Sequence, residues 1–297
     1  MIHNTRRTWS NDVADQETST GLQLFRWLME HIWHPDHTFA IHVDAAAPPA
    51  WRADVISFLD DARFVNNTFL MPQPRAVVWS SIDVAQAALD GIRFLLTRDD
   101  RAWDFFINLS GTDVALMRPE QLRDYLSDKR GLNLLWANYF ENISARQRAL
   151  HLDASFAVCE ERKRIVKTRY VKQEPLDFMP MKGQFWMTLT REFCEYVHAD
   201  AARLRRFVRY LGLSSVPDEK LFPSLLIASP YRHSWMRVMD RFIEWQSQAN
   251  HPTVLQYPQH WAQLTSGAFT FGRKVSMSQS KELLARLFAR LNLLQFR

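Results

Sequence analysis

The chain has 297 residues, 47% of them hydrophobic and 23% charged, which suits a soluble globular protein of one large α/β domain or two smaller ones. Its net charge of +5, from 37 basic and 32 acidic residues, is too modest to argue for nucleic acid. No run approaches the roughly 20 apolar residues needed to span a bilayer, so no transmembrane segment is expected.

Residues 3–20 are polar and read as a loop. Leu22, Phe25, Leu28, Met29 and Ile32 then recur at helical spacing, and His34-Pro35-Asp36 stops the helix. Thr38 to Val43 is a short strand ending on Asp44, and Pro48-Pro49 predicts a rigid, extended continuation. A short apolar run at 76–79 reads as a strand, and 82–96 has helical periodicity. The run from Asp104 to Leu109 fits a strand buried on both faces, and it stops at the polar turn Ser110-Gly111-Thr112-Asp113. A helix over 119–127 and a strand over 134–140 follow. This alternation predicts a mostly parallel sheet with crossover helices.

The second half is less regular. Trp186 to Leu189 reads as a strand running into a helix from Arg191, and Pro217-Asp218-Glu219 opens another helix. Residues 236–246 look like a strand or short helix ending at Trp245, and 279–294 is an amphipathic helix. Cys159 and Cys194 form neither a metal-ligand spacing nor a disulfide framework, and read as two buried free thiols or one bridge.

In an open α/β sheet, ligands bind outside the carboxyl ends of the strands, so the polar turn at 110–113 marks a candidate site. Asp44, also at a strand end, either accepts hydrogen bonds from a ribose or base or caps its own turn. Asp218 suits capping of its helix, which leaves Glu219 for other work or for the helix dipole. Arg273 and Lys274 are either a surface pair or cations for a leaving diphosphate. Basic residues gather at Arg162, Lys163, Arg164, Lys167, Arg169 and Lys172, and at Arg203, Arg205, Arg206 and Arg209. They read as solvated helix faces or as local attraction for an anionic substrate. The spacing of His31, His34, His37 and His42 crosses a helix end, a proline and a strand, so a metal site is not expected. There is no GxGxxG, Walker loop, GxSxG or Asp-x-Asp in the chain.

Eight segments, in order over roughly 21–275, resemble the core-2/I-branching glycosyltransferases (glycosyltransferase family 14), which include the peptide O-xylosyltransferases. They are IHVDAAAPPAWRADV, VVWSSIDVAQAAL, WDFFINLSGTDVALMRPEQLRDYL, MKGQFWMTLTREFCEYV, VPDEKLFPSLLIASP, RFIEW, HPTVL and SGAFTFGRKV. The resemblance implies a GT-A type α/β fold spanning 1–297 as one domain. Within it, 1–140 is the nucleotide-binding half, 141–278 the acceptor and catalytic half, and 279–297 a C-terminal helix. It also implies inverting transfer of N-acetylglucosamine or xylose from a UDP-sugar to the hydroxyl of a glycan or other acceptor. It implies no required metal ion and no cofactor beyond the donor, and no nucleic-acid partner is expected. By the same resemblance Glu219 is the general base, and Lys274 with Arg273 stabilises the departing UDP. Asp44 binds the nucleotide, and Ser110 and Asp113 line the cleft floor. Trp186 and Trp245 are sugar-stacking faces or core residues.

Three departures stand out. Met1-Ile2-His3 reads as only the end of the family's first strand, which is therefore expected to be truncated. Phe185 stands where some xylosyltransferase-like members carry an acid, and GRKVSMSQ lacks the aromatic and Asp that often follow the Lys. The alternative expectation is a catalytically inactive module that binds a glycan or protein partner. The setting reads as cytoplasmic for the chain as written, or as the Golgi membrane or lumen if an anchor precedes it.

Overall fold

The computed structural model describes residues 2–4, 11–98, 102–140, 154–171, 178–246 and 251–293. Strand β1 (Ile2–Asn4) lies between β2 (Phe39–Val43) and β5 (Leu109–Ser110). Strand β3 (Thr68–Leu70) completes a four-stranded sheet in which every pairing is parallel. All five residues of β2 are buried, as a strand covered on both faces requires. Helix α1 (Asn11–Ile32) begins inside the stretch expected to be a loop; residues 5–10 of that stretch lie outside the described residues. Its Phe25, Leu28 and Met29 share a core with Ile41, Val43, and Trp51 and Val55 of α2 (Pro49–Leu59). The extended segment expected after Pro48-Pro49 is thus a helix. Proline has no N–H to lose in the first turn, and Pro49 sits there.

The parallel sheet is confined to this half. A second, mixed sheet has the order β11 (Trp235–Met236), β7 (Asn133–Tyr139), β10 (Met181–Thr190), β4 (Phe105–Ile107). Both neighbours of β10 run antiparallel to it. A third sheet holds β12 (Arg241–Ile243), β13 (Phe271–Arg273) and β6 (Asp113–Ala115). The stretch from Phe105 to Ala115 therefore serves three sheets in turn. The strand expected over 104–109 breaks at Asn108, which is buried. Its amide donates to the Phe185 carbonyl (3.0 Å) and accepts from the Met187 N–H (2.9 Å). These backbone groups lie at the register shift of β10 between Gly183 and Met187, and a side chain satisfies them where the ladder does not.

Helix α3 (Ile82–Leu96) packs Ala85, Leu89 and Ile92 into the largest core, together with Phe106, Leu135, Met187 and Leu189. Phe193 of α5 (Arg191–Ala199) and Leu221 and Leu225 of α7 (Asp218–Ile227) join it. Helix α4 (Pro119–Ser127) opens on Pro119, as expected, and α6 (Ala201–Leu211) carries the second arginine cluster. A short α8 (Trp261–Leu264) precedes the C-terminal α9 (Lys281–Leu293).

Two further expectations are corrected. Residues 76–79 form no strand, because the Val77 N–H donates to the Asp44 carboxylate (3.3 Å) instead of a ladder. The first basic cluster lies on a β-hairpin, β8 (Ala154–Cys159) and β9 (Arg164–Val171), rather than a helix face; Lys172 lies outside the described residues. Both cysteines are free thiols, Cys194 buried and Cys159 only partly so.

Candidate active site

Asp44 follows the carboxyl end of β2, where the parallel sheet presents its ligand-binding edge. The carboxylate is buried. One oxygen accepts from the Ala46 N–H (2.8 Å), the other from Val77, and burial holds its pKa above the usual carboxylate range. The loop it anchors continues to Ser80, a buried residue in the left-handed region (φ 67°). There the Val216 N–H donates to both the carbonyl (3.2 Å) and the hydroxyl (3.1 Å) of Ser80. Val216 lies two residues before α7, so one hydrogen-bonded path joins Asp44 to the turn that presents Glu219.

Glu219 is in the first turn of α7, a quarter exposed, and forms an ion pair with Lys182 of β10. Burial pushes the Lys182 ammonium down to about 8, a shift opposed by the carboxylate of Asp218. Burial also raises Asp218 to about 6, with Lys182 and Lys220 pulling the other way. Asp218 is not the cap, which is Pro217, and its sealed Oδ1 has no hydrogen-bond partner among the described residues. Lys220, fully buried, donates to the carbonyls of Ser215 and Val216 (3.3 Å to the latter) and so fixes the turn before the helix. Strand β10 is held against α7 by the Met181 N–H donating to Ser224 Oγ (2.9 Å). Next to Lys182, a side chain on Gly183 would meet the Trp136 carbonyl at 2.4 Å, so glycine permits the close approach of β7.

A second cluster lies where β6 and β13 pair. Their register sets Arg273 opposite Asp113, with Nη1 3.6 Å from Oδ1. The other Asp113 oxygen accepts from the Ser110 N–H (2.7 Å), and the Ser110 hydroxyl is bonded to that of Thr112 (3.1 Å). The Arg273 guanidinium lies 3.8 Å from the centre of the Trp186 ring. Trp186 therefore carries an arginine on its ring and Phe185, buried, against its edge. Burial lowers the pKa of Arg273, the carboxylate of Asp113 opposes that, and Nε and Nη1 have no hydrogen-bond partner among the described residues. Lys274 is half-buried, and its carbonyl accepts from the Leu255 N–H (2.8 Å).

The structure thus brings Ser110, Asp113, Arg273 and Trp186 together, and joins Asp44 to the Glu219 turn through Ser80. Trp245 is 48% exposed. Trp79, which sequence reasoning did not single out, is 51% exposed and its ring lies 5.4 Å from that of His251. The Thr253 N–H donates to the Glu244 carbonyl (2.8 Å), so both exposed tryptophans border the 251–253 segment. Lys182 was also missed; a lone lysine in a strand gives no signal until α7 packs on it. The histidines separate. His31 stacks on Trp27 (3.9 Å), His42 accepts from the Arg75 N–H (3.0 Å), and only His34 and His37 are ring neighbours (5.3 Å). No three His, Cys, Asp or Glu side chains among the described residues converge as metal ligands. A cavity of about 340 Å³ at the amino end of β2, lined by Phe39, Trp103 and Leu126, takes in His34 and His37 but none of Asp44, Ser110, Asp113, Glu219, Arg273 and Lys274.

An Asp at the carboxyl edge of the parallel sheet, a Glu in the first turn of a helix and a basic pair on an α/β frame make up the candidate site, and a family model described as Core-2/I-Branching enzyme matches residues 18–270. The chain belongs to this family of glycosyltransferases, and its helix-flanked sheets are consistent with a GT-A-like fold. It is similar to xylosyltransferase 2 of Bos taurus, 27% identical over 286 residues, which is 90% of this chain and 32% of that one. It is also similar to xylosyltransferase 2 of Canis lupus familiaris (31% over 214 residues, 71% and 24%) and of Homo sapiens (31% over 210 residues, 69% and 23%). The chain spans about a third or less of the length of these relatives. No helix among the described residues is long and apolar enough to cross a membrane. Neither fold nor relatives support the cytoplasmic setting.

Proposed function

We propose that this chain catalyses inverting transfer of a sugar from a UDP-sugar to an acceptor hydroxyl, with Glu219 as the base. The observation that carries the reading is the position of Glu219. It is partly exposed at the start of α7, ion-paired, and tied through Val216 and Ser80 to the loop that Asp44 anchors. In the proposed step, Glu219 takes the acceptor proton as the acceptor oxygen forms its bond to the anomeric carbon. The bond from that carbon to UDP breaks on the opposite face, and its electron pair leaves on the diphosphate. Lys274, aided by Arg273, stabilises that charge. Asp44, Ser110 and Asp113 shape the nucleotide side, and Trp245 the acceptor side. Metal independence belongs to the proposal on the sequence ground that the chain has no Asp-x-Asp.

The names of the relatives favour xylose as the sugar, with N-acetylglucosamine as the alternative. The Golgi setting is the one the family resemblance carries. The test is turnover of UDP-xylose and UDP-N-acetylglucosamine, with and without chelator, beside calorimetric UDP binding. Glu219→Gln is expected to abolish turnover and leave UDP affinity within a few-fold. An active Gln variant overturns the base assignment, and inactivation by chelator overturns metal independence. The Lys182–Glu219 and Arg273–Asp113 pairs favour a second reading, a binding module whose charges are already spent. That reading expects UDP binding with turnover of neither donor.

A further inference from the structure

Hairpin β8–β9 stands apart from the sheets that build the cleft, and β8 and β9 have only each other as strand partners among the described residues. Its Phe156 N–H donates to the Leu213 carbonyl (2.7 Å), just past the end of α6. A two-stranded ribbon is marginal in water by itself. The register sets Val158 opposite Ile165 and Phe156 opposite Lys167, and strand alternation puts Arg169 on the same face. At the ribbon's foot, Leu213 is 44% exposed. Met179, 52% exposed, follows Phe178, whose ring stacks on Phe207 of α6 at 3.9 Å. Tyr170, 81% exposed, falls on the opposite face of the ribbon from Val158, so the two faces and the foot of the ribbon together carry four of the nine exposed large apolar side chains among the described residues.

Cations surround them. Arg162, Lys163, Arg164, Lys167 and Arg169 on the hairpin and Arg205, Arg206 and Arg209 on α6 are all exposed. Among the described residues the nearby acids are few. Glu160 pairs with Lys163 (3.2 Å), Glu161 shares the turn, and Asp200 caps α6 by accepting from the Arg203 N–H (2.8 Å).

We infer that this surface docks on an anionic lipid bilayer. Cations alone attract any polyanion. The exposed Tyr170, Val158, Met179 and Leu213 gain nothing from a soluble polyanion, whereas a bilayer interface offers acidic headgroups and an apolar phase together. A tyrosine ring, apolar with a polar tip, suits the headgroup level.

The experiment is co-sedimentation of the full chain with vesicles of phosphatidylcholine alone or mixed with phosphatidylglycerol. Binding to the anionic vesicles is expected to be at least about tenfold tighter and to weaken with salt. Arg205→Glu with Arg209→Glu is expected to remove most of it. Tyr170→Ser with Val158→Ser is expected to remove the salt-resistant part while leaving the thermal unfolding transition in place. Absence of vesicle binding overturns the inference. So does tighter binding to soluble polyglutamate or heparin that the Tyr170 and Val158 changes leave unaltered, which would make the surface a polyanion site.

Discussion

Replacing Asp218 with asparagine is expected to stabilise the protein at neutral pH and to change nothing in acid. Burial raises this carboxyl from 3.8 to about 6 in the folded chain. The folded state then holds the proton more tightly than the unfolded state, so stability falls as pH climbs between those values and stays lower above them. About two pKa units correspond to about 3 kcal/mol. Oδ1 is sealed but solvent reaches other atoms of the residue, and its screening brings this to about 1.5 kcal/mol. The attraction of Lys182 and Lys220 is already contained in the shifted value. Asparagine keeps the shape without the charge and removes the cost. The melting temperature should rise by about 2–3 °C near pH 7.5. Calorimetry from about pH 4 to pH 8 should show the gain vanishing at the acid end, where Asp218 is itself protonated. A variant less stable than the parent near pH 7.5, or equally stabilised at pH 4, refutes the reasoning.

Lys182 should govern the alkaline side of the proposed reaction. As pH rises through about 8 its ammonium is lost and Glu219 is released, so turnover should decline there. Lys182→Arg, which stays charged, should move that limb upward by more than a unit; an unmoved limb counts against the positioning role. Lys274→Met should lower kcat about 100-fold with UDP-sugar affinity less affected, and a change confined to KM would remove Lys274 from the leaving-group role. Asn108→Ala leaves the Phe185 carbonyl and Met187 N–H unpaired, and should cost about 2–5 kcal/mol in denaturant unfolding. A cost below about 1 kcal/mol would mean that β10 closes its own ladder. Trp245→Ala should raise the acceptor KM several-fold with UDP binding constant, and the reverse pattern would place Trp245 on the donor side.

The helices were the most legible part of the chain, because each carries a local signal. Ser81 accepts from the Asp83 N–H (3.1 Å) at the start of α3, Pro119 opens α4, and Thr190 accepts from Phe193 (3.2 Å) at the start of α5. Helix α2 was misread because a Pro-Pro pair looks extended until one proline occupies a helix's first turn. The basic hairpin was misread because Arg and Lys report no period, and its apolar residues fall on a ribbon that is partly exposed. Sheet membership was beyond local reading. Nothing in Phe105–Ala115 reveals that it breaks at Asn108 and passes through three sheets, since the cause is a register shift in β10 far along the chain. In the site, Glu219, Asp44 and the Arg273-Lys274 pair were legible as segments. Their partners Lys182 and Ser80 were not, because those contacts form only when α7 packs on β10 and the loop after Asp44 meets Val216.

The two basic neighbours at 273 and 274 are not equivalent, and the difference bears on the proposed leaving-group role. The register of β13 commits Arg273 to Asp113, and its guanidinium rests on the Trp186 ring, so its charge is largely offset by a buried carboxylate. An anion approaching this pair meets the attraction of the arginine reduced by the repulsion of the aspartate at similar range. What Arg273 keeps is direction, since Nε and Nη1 are held in place without hydrogen-bond partners among the described residues. The Leu255 bond fixes the backbone of Lys274 beside it. A diphosphate departing toward this corner would therefore take its orientation from Arg273 more than a net charge. In the proposed reaction the polar turn from Ser110 to Asp113 would act by holding Arg273 still.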